Sequence, residues 1–325
     1  MLLSSEKRIA DMRSAYGDAL VELGRDDPRI VCVGGDTTES LKTKKFGDKF
    51  PDRMFNVGIA EANLVSIAAG LAIAGKIAFA STYAAFIPGR CVDQIRNAVC
   101  YPNLDVKLVV SHGGLTVGPD GASHQQIEDI AGMRAIPRMR VIVPADATSV
   151  KHLIRVLAYT SGPFYMRLAR PSNEVVYSEQ SNGDSFKIGK GIVLSEGSDA
   201  TIIACGLLVG MAIEAAKALK ERGISCRVVD MFSIKPLDKD LVSKCAKDTG
   251  VIVTAEEHNI LGGLGSAVAE SASESYPVPV QRVGVRDTFG ESARDEEIDD
   301  LLAKYGLTSR DIVNSVFEAR SKLRK

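Results

Sequence analysis

The sequence predicts an α/β protein made of two open, doubly wound sheets. Short apolar runs rich in β-branched residues, among them Ile30–Val33, Leu104–Val110 and Ala200–Gly206, alternate with stretches of helical spacing. Strands and helices alternating at these lengths favour parallel sheets covered on both faces. One polar stretch, Ser178–Ser185, interrupts the rhythm and divides the chain into domains at 1–180 and 190–325.

A chain of 325 residues can give each domain its own core, and 45% hydrophobic with 25% charged residues excludes disorder. The net charge of −1, with no long basic run, excludes general attraction to nucleic acid or to an anionic membrane. The six cysteines include no C-x-x-C pair, so buried free thiols in a reducing cytoplasm are expected, with no metal held by this chain. The first eight residues lack the apolar core of a signal peptide, and no run approaches the roughly 20 apolar residues of a membrane span.

In order, Ile9–Leu23 has helical spacing and Ile30–Val33 is a strand that ends in the polar loop Gly34–Ser40. A second such loop, Asn56–Glu61, opens the uncharged helix Ala62–Ala74, expected to be buried nearly all round. The strand Lys76–Thr82 leads into a helix from Tyr83 past Arg96. Leu104–Val110 then enters a glycine-rich loop to Gln125, followed by a strand at Val141–Pro144, a helix at Ala147–Leu157 and a strand at Phe164–Leu168. Past the polar break come strands at Ala200–Gly206, Cys226–Asp230 and Val251–Ala255, with helices at Leu208–Glu221 and Leu241–Thr249.

The candidate residues gather after strands, where open α/β sheets bind ligands. Glu61 is the single charge between Arg53 and Lys76, at the start of an apolar helix, although the macrodipole alone favours a carboxylate there. His112, Asp120 and His124 stand eight and four residues apart on the glycine-rich loop, a set able to aim hydrogen bonds at a polyhydroxylated ligand. Arg170 follows a strand and is suited to phosphate, with a surface ion pair as the plainer reading. Tyr83 and Phe86 offer either an aromatic platform or core packing.

The order of His112-x₅-Gly118-x-Asp120-Gly121-x₂-His124-Gln125, Ile136-Pro137, Val143-Pro144-Ala145-Asp146, Val57-Gly58-Ile59-Ala60-Glu61, Thr254-Ala255-Glu256-Glu257-His258 and Gly262-Gly263-Leu264-Gly265 resembles the transketolase family of thiamine diphosphate enzymes from about Arg13 to Val313. The resemblance implies a pyrimidine-binding domain followed by the family's C-terminal domain. It maps Glu61 onto the carboxylate that hydrogen-bonds N1′ of the cofactor's aminopyrimidine, with Tyr83 and Phe86 flanking that ring and Asp36 near the same end. His112, Asp120 and His124 map onto groups that contact the sugar, and Arg13, Ser40 and Arg170 onto groups that hold its phosphate. The implied reaction is two-carbon ketol transfer between sugar phosphates of the pentose phosphate pathway, with Glu61, His112 and His124 catalytic.

The resemblance also marks a departure. The family's Gly-Asp-Gly and Asn, which hold Mg²⁺ and through it the diphosphate, have no counterpart here, since Pro119-Asp120-Gly121 belongs to the sugar loop. A separate N-terminal transketolase subunit is therefore expected to supply Mg²⁺ and the rest of the site, in an α₂β₂ assembly with contact between the β chains. The rival readings are the β subunit of a 2-oxo acid dehydrogenase E1 component, a 1-deoxyxylulose-5-phosphate synthase-like protein, and a non-catalytic regulatory homologue.

Overall fold

The apolar runs become buried strands in the computed structural model, which describes residues 8–178, 181 and 183–324. The reading that residues 1–8 are no signal peptide falls almost wholly on residues 1–7, which lie outside the described residues. So do residues 179, 180 and 182 of the expected linker.

In the first half the strands are β1 (Ile9–Ala10), β2 (Ile30–Gly34), β3 (Met54–Asn56), β4 (Ile77–Ser81), β5 (Val106–Val110), β6 (Arg140–Ile142), β7 (Phe164–Arg167) and β8 (Asn173–Glu174). The short β1 and β8 pair with each other. The second half adds β9 (Ile192–Ser195), β10 (Ala200–Ala204), β11 (Cys226–Asp230), β12 (Ser233–Lys235), β13 (Ile252–Asn259) and β14 (Val280–Val285). One sheet has the order β12-β6-β7-β5-β4-β2-β3 and the other β14-β13-β10-β11-β9. Both are parallel apart from β12 and β9, which join antiparallel at or near an edge. The expected α/β fold with two largely parallel sheets is thus present.

Strand alternation sends successive side chains to opposite faces. On β2, Ile30 and Cys32 enter one core while Val31 and Val33 enter another. The helices of the first half are α1 (Met12–Asp26), α2 (Lys44–Lys49), α3 (Glu61–Ile73), α4 (Ile87–Asp93), α5 (Asp129–Ala135) and α6 (Ala147–Ala158). Residues of α1 and α6 share the first core; those of α3 and α4 share the second. With both faces covered, β2, β4, β5 and β7 are buried along their whole length. The second sheet is flanked by α7 (Leu208–Glu221), α8 (Lys239–Thr249), α9 (Leu264–Ser275), α10 (Ile298–Lys304) and α11 (Ser309–Ser321).

Three expectations about helices need correction. The first helix, expected from Ile9, starts at Met12 behind the Asp11 cap, because Ile9–Ala10 pair with β8 as a strand. Helix α3 is not buried all round: Leu64, Val65, Ala68 and Ala69 face the core, but Ile73 is 74% exposed and Ile59, just before the helix, is 78% exposed. The sheet, α4 and the π turn cover its inner sides, while Asn63, Ser66, Gly70 and Ile73 form an exposed stripe among the described residues. The helix expected from Tyr83 past Arg96 instead starts at Ile87, kinks at Cys91 and continues as a wide π turn over Gln94–Cys100. All six cysteines are buried free thiols. No described helix is long and apolar enough to cross a membrane.

Winding of the first sheet reverses at β2, which has β3 on one side and β4 on the other. The loops that leave these strands diverge there and open a crevice at the carboxyl edge.

Candidate active site

The candidate residues converge on that edge because each rides on a loop leaving a parallel strand. Asp36 and Ser40 follow β2, Glu61 follows β3, Tyr83 and Phe86 follow β4, His112 to His124 follow β5, and Arg170 follows β7. Arg13 arrives from the other direction, in the first turn of α1. Asp11 caps that helix by accepting from the Arg13 backbone N–H and also accepts from its Nε at 3.1 Å.

Glu61 is the first residue of α3, and its side chain is 7% exposed. Arg90 donates to its Oε1 at 2.9 Å and lies over the Phe86 ring, 4.4 Å from the centroid. A planar cation therefore already touches both an aromatic face and the buried carboxylate. Asp36, held at φ +60 and exposed, donates its backbone N–H to the Asn56 side-chain Oδ1 at 3.0 Å, which ties the β2 loop to the segment ending in Glu61.

Phe86 and Tyr83 stack at 5.5 Å, and Tyr83 stacks on His112 at 3.8 Å. His124 meets Phe86 edge-on at 5.4 Å, so four rings from two loops make one wall. The Tyr83 hydroxyl donates to Ser40 Oγ at 3.0 Å, and Arg13 reaches the Ser40 carbonyl at 3.4 Å. Burial, followed by the charges of Arg13, Arg170 and His124, pushes the His112 imidazole down to about 3. It is neutral near pH 7, and with Nδ1 paired to Ser111 Oγ at 2.7 Å, Nε2 is left for a ligand.

Asp120 stands exposed at the loop's tip and makes no side-chain hydrogen bond among the described residues. The structure does not join it to the ring wall. Arg170 has a different partner: its guanidinium grips the carboxylate of Asp295, at 2.6 and 3.2 Å. The ion pair that the sequence left open for Arg170 is therefore real, and it crosses from the first half of the chain to the second.

Residues that sequence reasoning did not single out hold the glycine-rich loop in place. Buried Glu257 accepts the Thr116 backbone N–H at 2.7 Å. Gln125 donates to the carbonyls of Leu115 and Glu291, both at 2.8 Å. Gly114, at φ +89, passes so close that a Cβ there would lie 2.2 Å from the Glu257 carboxyl carbon. Beneath the loop, Arg167 faces Asp129 at 3.3 Å with both side chains buried, and Tyr165 donates to the same Asp129 oxygen at 2.6 Å.

Other motif residues are structural. Glu256 caps α9 by accepting from Leu264 and Gly265, both at 2.7 Å, which fills the cradle made by Gly262–Gly265. Asp146 caps α6 and also accepts from Val176 and Tyr177. His258 is fully buried and accepts from the Ala131 backbone. Among the described residues no group of three or more His, Cys, Asp or Glu is placed to hold a metal ion.

Comparison with known proteins agrees with this architecture. The family model for the transketolase pyrimidine-binding domain matches residues 9–174, and that for the transketolase C-terminal domain matches residues 189–312. The chain is 46% identical over 312 residues to a Methanocaldococcus jannaschii protein described as a transketolase C-terminal section, covering 96% of each. It is 40% identical to a 6-deoxy-6-sulfo-D-fructose transketolase subunit of a Clostridium species, covering 96% of this chain and 95% of that one. A solved structure described as a split gene transketolase, inactive β4 tetramer, superposes with a TM-score of 0.88 at 49% identity, covering 96% of this chain and 98% of that one. Both sheets, and the loops that meet between them, fall within these matches: the chain belongs to the transketolase family and carries its pyrimidine-binding and C-terminal domains.

Proposed function

We propose that this chain, acting with a partner chain that carries the diphosphate-binding half of the site, transfers a two-carbon ketol unit from a ketose phosphate such as xylulose 5-phosphate to an aldose phosphate such as ribose 5-phosphate. The observation that carries this reading is the buried Glu61 carboxylate, linked through Arg90 to the Phe86 ring and so to the wall of Tyr83, His112 and His124. We divide the chain into domains at 1–180 and 190–325.

The residues present fit thiamine diphosphate at its pyrimidine end. Arg90 rests on Phe86 while meeting Glu61, the two contacts a flat, hydrogen-bonding ring would make there, and its side chain is 55% exposed, with solvent to turn into when displaced. Tyr83 and Phe86 would hold the ring faces, Glu61 its N1′, and Asp36 the same end of the molecule. When bound, thiamine diphosphate supplies the electron sink for breaking and forming the carbon–carbon bond, with Mg²⁺ held by the partner.

Glu61 would hold N1′ through a hydrogen bond from its carboxyl, in a setting that burial keeps from water. Neutral His112 offers Nε2 to a sugar oxygen without adding a charge that would repel Arg13 or Arg170. His124 and Asp120 read the remaining hydroxyls. Arg13, Ser40 and Arg170 hold the phosphate, which fixes the distance from the anionic end of the sugar to its carbonyl.

The exposed stripe of α3 begins beside Glu61, which supports an α₂β₂ assembly in which another chain closes the site over that stripe. Six buried free thiols support a cytoplasmic location. A ketose bearing a sulfonate is the second reading of the substrate, favoured by the name of the Clostridium relative. The test is reconstitution with the N-terminal subunit, thiamine diphosphate and Mg²⁺, assayed for ketol transfer between xylulose 5-phosphate and ribose 5-phosphate. Transfer from the sulfonated ketose alone would move the assignment to the second reading, and pyruvate decarboxylation without ketol transfer would overturn both.

A further inference from the structure

We infer that Asp295 is a built-in competitor for the anionic end of the substrate: its carboxylate occupies the Arg170 guanidinium until the substrate's phosphate or sulfonate displaces it. This rests on the reading of Arg170 as the anion seat. The two-pronged contact at 2.6 and 3.2 Å is the geometry with which arginine takes an oxyanion, so Asp295 and a substrate phosphate need the same two N–H groups.

The pair is asymmetric. The Arg170 side chain is 25% exposed and packed beside Gly118, whereas that of Asp295 is 63% exposed and able to turn into solvent. Its departure need not unfasten the segment that carries it. Ser292 Oγ donates to the Pro119 carbonyl at 2.8 Å, the Ala293 N–H donates to the Gly118 carbonyl at 3.3 Å, and the Glu291 carbonyl accepts from Gln125 at 2.8 Å. These bonds leave the Asp295 carboxylate as the exchangeable contact. The glycine-rich loop is bare where the exchange happens, since a Cβ on Gly118 would sit 2.8 Å from the Asp295 oxygen and 3.0 Å from Arg170.

Charge decides the outcome of the exchange. Arg170, and more weakly Arg13, hold the Asp295 carboxylate by charge, but a phosphate near pH 8 is largely dianionic and outbids a single carboxylate for the same cations. An uncharged sugar end cannot displace Asp295 and meets an occupied seat. Asp295 thus sharpens selection for substrates with a charged end, and it weakens their binding by the strength of the pair it must surrender.

Titration of the full chain with inorganic phosphate, at pH 8 and low salt, tests the inference by calorimetry without requiring catalysis. Asp295→Asn should bind phosphate about three- to fivefold more tightly than the parent, the range of a partly exposed ion pair. Arg170→Ala should bind it much more weakly, and the double variant should behave like Arg170→Ala. Unchanged affinity in Asp295→Asn alongside weakened Arg170→Ala would overturn the competition while leaving the seat. Weaker binding in Asp295→Asn would also overturn it, making Asp295 a support that orients Arg170. Parent-like binding by Arg170→Ala would remove the seat itself, and with it the reading on which the competition rests.

Discussion

Glu61 combines three local effects: the helix N-terminus favours its negative charge, Arg90 pairs with it, and the fold shields it from water. Glu61→Gln keeps the volume and loses the proton-sharing oxygen. Turnover of the reconstituted enzyme should fall by about 10²–10⁴-fold while the melting curve stays in place. Retained turnover would remove Glu61 from the chemistry. His112 carries a pH dependence of definite sign. Its imidazole titrates near 6.5 when unfolded and near 3 when folded, so its contribution to stability is complete above pH 6.5 and drains away as the pH falls toward 3. His112→Gln should flatten the fall in melting temperature across that window. Parallel curves for the two proteins would mean that the ring is not held neutral.

At the scale of elements, the glycine-rich loop is shaped less by its own sequence than by what lies beneath it. Arg167 on β7 and Asp129 on α5 face each other with almost no solvent, and Arg167 also donates to the Glu257 carbonyl at 2.7 Å. Asp129→Ala leaves the buried guanidinium with Glu257 as its remaining carboxylate neighbour and should cost about 3 kcal/mol in urea unfolding. A loss under about 1 kcal/mol would mean that water reaches Arg167. The strands and the loops after them were legible in the sequence, because apolar runs and glycine punctuation are local signals. The partners of those loops were not. Glu257 meets Thr116 across 141 residues and Asp295 meets Arg170 across 125, and such pairings exist only once the two halves dock. Glu256 and Glu257 were visible as part of a motif, but nothing local in the sequence marked Asp295.

For the whole molecule, α3 shows where periodicity misleads. An uncharged helix implies cover on every side, yet the described residues leave the stripe Asn63, Ser66, Gly70 and Ile73 exposed, and a hydrophobic pattern does not distinguish cover by its own chain from cover by another. Ile73→Glu should leave the isolated chain's stability within about 0.5 kcal/mol, because the residue is 74% exposed. The same change should shift sedimentation of the assembled enzyme toward smaller species; an unchanged profile would place the contact elsewhere.

The short β12 makes the two halves inseparable in another sense. It arrives from the second half of the chain, yet Ser233 and Lys235 pair with Ile142 and Val141 on β6, and Lys235 Nζ donates to the carbonyls of Arg134 and Ile136 at 2.7 and 2.6 Å. Cut away, it would leave the ladder groups of β6 bare, a template for pairing with any passing strand. The pyrimidine-binding half is therefore not a portable module. A break near residue 180 would release a fragment with that edge exposed, ready to pair with other strands.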